Sequence, residues 1–314
     1  MNLFYDILVI VLPVFLVIGT GSVLKWTRLV DAGFLFQLNR MVYYLALPAL
    51  LFYKISTADF SASFNGTLMI GLLISTSIGF VLSYAYGVLR AYPPEVRGTF
   101  AQGAFRGNIA YIGLALVYNA CGEKGLASAG ILLGFLVPAM NFLAIVALLM
   151  PYRNGGQRMG AGIWVRQIGG NPLIIASFIG IAWSFFGLPM PKVMGSTLHI
   201  ITDMALPLAL ISIGASFSWE KLRGDLKVTL LATGIKLVVM PFLATLLLIP
   251  LGIRGQDLVI GVLFAGTPTA TVAYIMAQQM QGDAELSGSI IMLSTLLSVL
   301  TYMTALYCLK AAGL

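Results

Sequence analysis

The sequence predicts an all-α integral membrane protein of ten transmembrane helices, arranged as two inverted five-helix repeats with helices 4 and 9 broken. Three observations carry this. First, the 314-residue chain is 59% hydrophobic and only 9% charged, with a mean hydropathy of +0.96, whereas a soluble domain carries about 25% charged residues. Second, ten apolar runs each approach the roughly 20 residues that a bilayer crossing needs. Third, landmarks recur at one constant offset. Phe105-Arg-Gly-Asn-Ile-Ala-Tyr111 and Phe264-Ala-Gly-Thr-Pro-Thr-Ala270 interrupt two of the runs, and both Phe105/Phe264 and Gly107/Gly266 are 159 positions apart. Gly/Pro-interrupted apolar segments at corresponding places in two halves point to a binding site near the bilayer midplane. Two kinked helices with no ligand are the bland alternative, since Gly and Pro are common in membrane helices.

The runs fall at about 5–24, 38–57, 66–89, 95–121, 126–150, 169–188, 195–217, 227–249, 256–280 and 286–309. The first is a retained helix and not a secretory signal, because no basic residue precedes Lys25. The links are short. The longest, from Pro151 to Arg166, is Gly-rich and reads as a flexible connector, dividing the chain into repeats 1–153 and 154–314. The offset of 159 extends beyond the breaks. Ala46-Leu47-Pro48 recurs at Ala205-Leu206-Pro207, and Pro13 and Gly21 match Pro172 and Gly180. Five spans per repeat is an odd number, so the second repeat must be inverted.

Loop charges set the orientation. Lys25, Arg28, Arg40, Arg90, Arg97, Arg153, Arg158, Arg166, Lys221, Arg223 and Lys227 fall on one side. Lys54, Lys124, Lys192, Arg254 and Lys310 fall on the other. The richer side is expected in the cytoplasm, which puts both termini outside a multi-pass protein of the inner (plasma) membrane. The net charge of +7 is spread over short loops without a basic cluster, so no nucleic acid is expected. Cys121 and Cys308 lack CxxC spacing, and the single histidine excludes HExxH zinc chemistry. No Walker A loop is present. No cofactor or metal is expected.

Asn39-Arg-Met-Val-Tyr-Tyr-Leu-Ala-Leu-Pro-Ala-Leu-Leu-Phe52 resembles the second-helix motif of the auxin efflux carrier family. Gly103-Ala-Phe-Arg-Gly-Asn-Ile-Ala-Tyr-Ile-Gly113 is similar to that family's fourth helix, although Ala115 stands where many relatives have Pro. The resemblance covers essentially the whole chain. It implies a ten-helix fold shared with bile-acid/sodium symporters, with helices 4 and 9 unwound and crossing at mid-membrane and helices 1, 2, 6 and 7 forming a scaffold panel. It also implies carboxylate substrates: malonate and malate in bacterial permeases, auxin in plants.

The residues add their own chemistry. Arg106 lies about twelve residues into its span, ~18 Å deep; a charge there is costly and marks a functional site by default. Its planar fork suits a carboxylate, or it pairs with carbonyls freed by the break. Asn108 and Thr267 offer neutral partners, and the exposed helix N-terminus favours an anion. The expected substrate site is therefore Arg106, Gly107, Asn108 and Tyr111 with Gly266, Thr267 and Pro268. Asp203 and Lys236 are expected as buried charges near one layer. They form either a structural ion pair or, with His199 at i−4 from Asp203, a proton-coupling group. The sequence thus predicts a secondary transporter of a small organic anion, with the coupling ion, H+ or Na+, and a homodimer left open. A passive anion channel and an intramembrane enzyme are the alternatives.

Overall fold

The computed structural model describes residues 3–57, 63–155, 170, 172–217 and 225–313. Among these the secondary structure is helical, without a named strand. Helix α1 is Leu3–Trp26, α2 Ala32–Ser56, α3 Gly66–Leu89, α4 Pro94–Phe105 and α5 Leu114–Leu149. Then come α6 Pro172–Phe185, α7 Lys192–Ala215, α8 Leu226–Leu248, α9 Gly255–Ala265, α10 Val272–Gln279 and α11 Ala284–Ala311.

Local chemistry sets the helix starts. Asp31, Asn65, Asp225 and Asp283 cap α2, α3, α8 and α11, each accepting from backbone N–H groups of the first turn; this satisfies donors the helix itself leaves unpaired. Pro94 opens α4, where a missing N–H costs nothing. Single π-turns interrupt α2 at Val42–Ala46 and α8 at Ile235–Val239. A third, Ile109–Gly113, leads into α5.

Seven helices among the described residues are long and apolar enough to cross a bilayer, where the sequence predicted ten spans. The difference has physical causes. The breaks cut the fourth and ninth runs into short pieces. Helices α6 and α9 are apolar but short. The fourth and fifth runs fuse through α5, which bends at Gly122 (φ 64°, ψ −158°). That region of backbone space is essentially open to glycine alone. The predicted connector lies outside the described residues from 156 to 169, as do Arg158, Arg166, Lys221 and Arg223.

Four helices pack side by side. Helix α1 lies against α7, α7 against α2, and α2 against α6. Two glycines set this spacing. A Cβ at Gly21 on α1 would collide with the carbonyl of Ile211 on α7. A Cβ at Gly180 on α6 would stand 3.2 Å from the carbonyl oxygen of Phe52 on α2. The two glycines are 159 positions apart, and so are the two carbonyls they face. Ser22 Oγ donates to Gly214 O at 2.9 Å and Lys25 Nζ to Phe217 O at 2.7 Å, which adds polar ties between α1 and the end of α7. The outer surface stays apolar. Leu16, Val81, Phe242 and Leu300 are all more than half exposed, as suits contact with lipid chains. This is a multi-pass membrane protein.

Candidate functional site

The two breaks meet. Helix α4 stops at Phe105 and helix α9 at Ala265. The freed segments run antiparallel: Asn108 N donates to Pro268 O at 2.8 Å and Ala270 N to Arg106 O at 3.2 Å, flanking a bridge between Gly107 and Thr269. These bonds account for backbone groups that the breaks would otherwise orphan. Neighbouring hydroxyls complete the work. Thr267 Oγ1 donates to Phe264 O at 2.7 Å, Thr269 Oγ1 donates to Gly103 O at 2.7 Å, and Thr269 N donates to Ser294 Oγ at 3.1 Å. Gly107 has no alternative residue. A Cβ there would overlap Thr267 Oγ1.

Two cations are buried at this crossing. Arg106 is 5% exposed and Lys236 1%. The Arg106 guanidinium donates to Asn141 Oδ1 on α5 and to Met276 Sδ on α10, both neutral. Lys236 Nζ donates to the carbonyl of Ala265, the last residue of α9; a cation at a helix C-terminus is favourable. Among the described residues neither cation forms a salt bridge with an acid. The unneutralised Arg106 guanidinium in a low-dielectric interior makes the crossing positive.

A cavity of about 560 Å³ opens beside the crossing. Arg106, Gly107, Asn108 and Tyr111 line it, with Asn141 from α5 and Thr271 and Tyr274 beyond the second break. Its opposite wall is Asn39, Arg40, Tyr43 and Tyr44 of α2 and Ser212 and Ser216 of α7. Arg40 packs over the Phe36 ring, 5.9 Å from its centroid, so the mouth also carries a cation.

The predicted site residues divide. Arg106, Gly107, Asn108 and Tyr111 face the cavity. Gly266, Thr267 and Pro268 belong to the crossing but not to the cavity lining; Thr267 is fully buried, with its hydroxyl committed to Phe264. Asp203 and Lys236 do not come together. Asp203 has its side chain 65% exposed and pairs with His199 at 3.1 Å, so the expected buried Asp–Lys pair is not formed. Depth along a helix axis places a residue in a layer but leaves its face open. Asn141, Tyr43 and Met276 were not singled out. Asn141 carried a usable signal, being an amide inside a long apolar span.

Lys236→Met should therefore leave the melting temperature at or above wild type. Losing the donor to Ala265 O costs about 1–3 kcal/mol, while a methionine of similar length removes the desolvation penalty of a buried amino group that has no acidic partner and keeps the space filled. Thermal unfolding in detergent checks this. A large drop would mean that the ammonium supports more of the crossing than one carbonyl.

An apolar exterior, a broken-helix crossing and a buried cationic cavity define the class as a membrane transport protein. Comparison with known proteins agrees. A family profile described as "Membrane transport protein" matches residues 6–306, and the chain belongs to this family, which takes in the auxin efflux carriers. It is 28% identical over 314 aligned positions to a Rhizobium meliloti protein described as "Putative malonate transporter", covering 94% of this chain and 97% of that one. It is 26% identical to an "Uncharacterized transporter" of Methanothermobacter thermautotrophicus, covering 93% and 94%. Auxin efflux carrier component 2 of Arabidopsis thaliana is 26% identical over 37% of this chain and 19% of its own length. The family and these relatives are transporters, not enzymes.

Proposed function

We propose that this chain is a secondary transporter that carries a small organic anion, a carboxylate, across the membrane by alternating access. The observation that carries the proposal is the Arg106 guanidinium. It is buried, lines the cavity and is held by neutral acceptors alone. A buried charge without a counter-ion needs an anion to complete it, and a planar fork accepts a carboxylate in bidentate fashion. Asn108 and Tyr111 supply hydrogen bonds beside it. The malonate in the description of the Rhizobium relative points to the same chemistry.

Two inverted five-helix repeats are the proposed architecture. The contact pairs Gly21–Ile211 and Gly180–Phe52 support it, because an internal two-fold would turn one into the other. The charge asymmetry of the loops supports a cavity mouth toward the cytoplasm and termini outside. Uptake or export is driven by H+ or Na+ in this proposal, with His199 and Asp203 as proton candidates.

The test is the melting temperature of purified protein against malonate and a panel of mono- and dicarboxylates, with and without Na+ and across pH. A ligand at a hundred times its Kd stabilises the folded state by about 2.7 kcal/mol. The expected result is a rise for at least one carboxylate that vanishes in Arg106→Gln. No rise with any of them, or one that survives in Arg106→Gln, would refute an Arg106-centred carboxylate site.

A further inference from the structure

The cavity reaches one end of the four-helix panel, and the other end is closed. Helix α2 runs from Arg40 at the mouth to Lys54, fourteen residues or about 21 Å away. There Lys54 Nζ meets Glu123 Oε2 at 2.6 Å. Glu123 directly follows the Gly122 bend, where the segment that leads out of the crossing, Leu114 to Cys121, turns into the rest of α5. A second polar link lies at the same end, where Asn119 Nδ2 donates to Ile10 O on α1 at 3.1 Å.

The offset of 159 gives this closed end a specific meaning. On α2, Arg40 and Tyr43 line the cavity; the positions 159 further on are His199 and Thr202 of α7. On α7, Ser212 and Ile213 line it; the positions 159 before them are Tyr53 and Lys54 of α2. These four residues gather at the closed end. The Tyr53 and His199 rings meet edge to face at 6.1 Å, and Lys54 lies over the Tyr53 ring at 5.6 Å. Thr202 is 3% exposed and its hydroxyl donates to His199 O at 2.9 Å.

Resting on the transport function proposed above, we infer that this cluster is the closed counterpart of the cavity, that the Lys54–Glu123 ion pair latches it, and that its opening turns Tyr53, His199 and Thr202 toward the substrate from the opposite side of the membrane. A polar cluster at the repeat-equivalent positions has no packing reason to be there. An apolar seal would close the same space without covering the Lys54 ammonium and the Thr202 hydroxyl. Lys54 is 17% exposed and Glu123 59%, so the pair is accessible enough to part and rejoin.

The test places a single thiol at Thr202→Cys in a Cys121→Ser/Cys308→Ser protein, reconstituted in liposomes. It measures the rate of modification by a membrane-impermeant methanethiosulfonate, with malonate uptake followed in parallel. With the ion pair intact the thiol should react slowly. Glu123→Gln and Lys54→Met should each raise the rate at least threefold, and the exchange Lys54→Glu/Glu123→Lys should restore the slow rate. Equal melting temperatures across the set confirm intact folding. A rate unmoved by either single variant, or an exchange that fails to restore it, overturns the latch. Absent malonate uptake with the rates moving as expected would count against malonate as cargo and leave the latch standing. Normal uptake with unmoved rates sinks the latch alone.

Discussion

Arg106→Gln is expected to weaken anion binding by a hundredfold or more while leaving the protein at least as stable as wild type. The two effects have one origin. Arg106 is buried and bonded to Asn141 and Met276, with no acid to neutralise it. In the empty protein that charge is a liability, and replacing buried ions by neutral groups is often neutral or stabilising by about 1–4 kcal/mol. In the complex it becomes the main attraction. A hydrogen bond to a charged group contributes about 1.5–3 kcal/mol. The Coulombic attraction at ~4 Å adds up to about 4 kcal/mol at an effective dielectric of 20. After desolvation of the ligand, a net loss near 3 kcal/mol corresponds to more than two powers of ten in Kd. Arg106→Lys keeps the charge but not the fork, so a loss of about tenfold is expected. Isothermal calorimetry beside thermal unfolding separates the outcomes. Wild-type affinity in a well-folded Arg106→Gln protein would place the anion elsewhere, whereas a joint fall of affinity and stability would make Arg106 a structural residue.

The breaks were legible because they violate the rule of the solvent. A charge, a glycine and a proline inside apolar runs stand out wherever lipid requires an unbroken helix. Their meeting was not legible in detail. Which hydroxyl would satisfy which carbonyl depends on the antiparallel pairing of Gly107 with Thr269, two residues far apart in sequence. Thr267 shows the consequence. The sequence placed it beside Asn108 as a ligand group, and in the structure its hydroxyl bonds Phe264 O outside the cavity lining. Asp203 and Lys236 show a second limit, since axial depth is readable from residue counts but the face of the helix depends on its neighbours. Asp203 points outward from α7, with His199 half-exposed beside it and edge-on to Tyr53 of α2, and Lys236 points inward from α8. The fused run through α5 shows a third. Glu123 and Lys124 mark the boundary between the predicted runs 95–121 and 126–150, and the structure bends there at Gly122; what hydropathy could not show is that the chain turns without leaving the helix for a loop. The offset of 159, by contrast, could be read from Pro and Gly positions because those residues sit where backbones touch. Gly21 and Gly180 are such contacts.

Gly107→Ala should be among the most damaging small substitutions in the chain, although it adds a single methyl group. The methyl would overlap Thr267 Oγ1. Thr267 cannot turn away freely, because its hydroxyl satisfies Phe264 O at the end of α9. Overpacking of this kind costs about 1–3 kcal/mol, and a displaced hydroxyl leaves a buried carbonyl unpaired for about 1–3 kcal/mol more. The bonds from Asn108 N to Pro268 O and from Ala270 N to Arg106 O flank the same point, so any shift also tilts Arg106 and Asn108 within the cavity. Thr267→Ala alone should cost stability and not affinity, since it loses the bond to Phe264 but touches no cavity surface. The double variant Gly107→Ala/Thr267→Ala removes the clash and should recover part of what Gly107→Ala loses. A positive coupling of at least about 1 kcal/mol is expected, within the range found for residues in contact. The cycle needs unfolding midpoints and malonate affinity for all four proteins. Additive stabilities would mean that the two backbones do not approach as closely as the crossing requires. A loss of affinity in Thr267→Ala at unchanged stability would move Thr267 from the scaffold of the crossing into the ligand site.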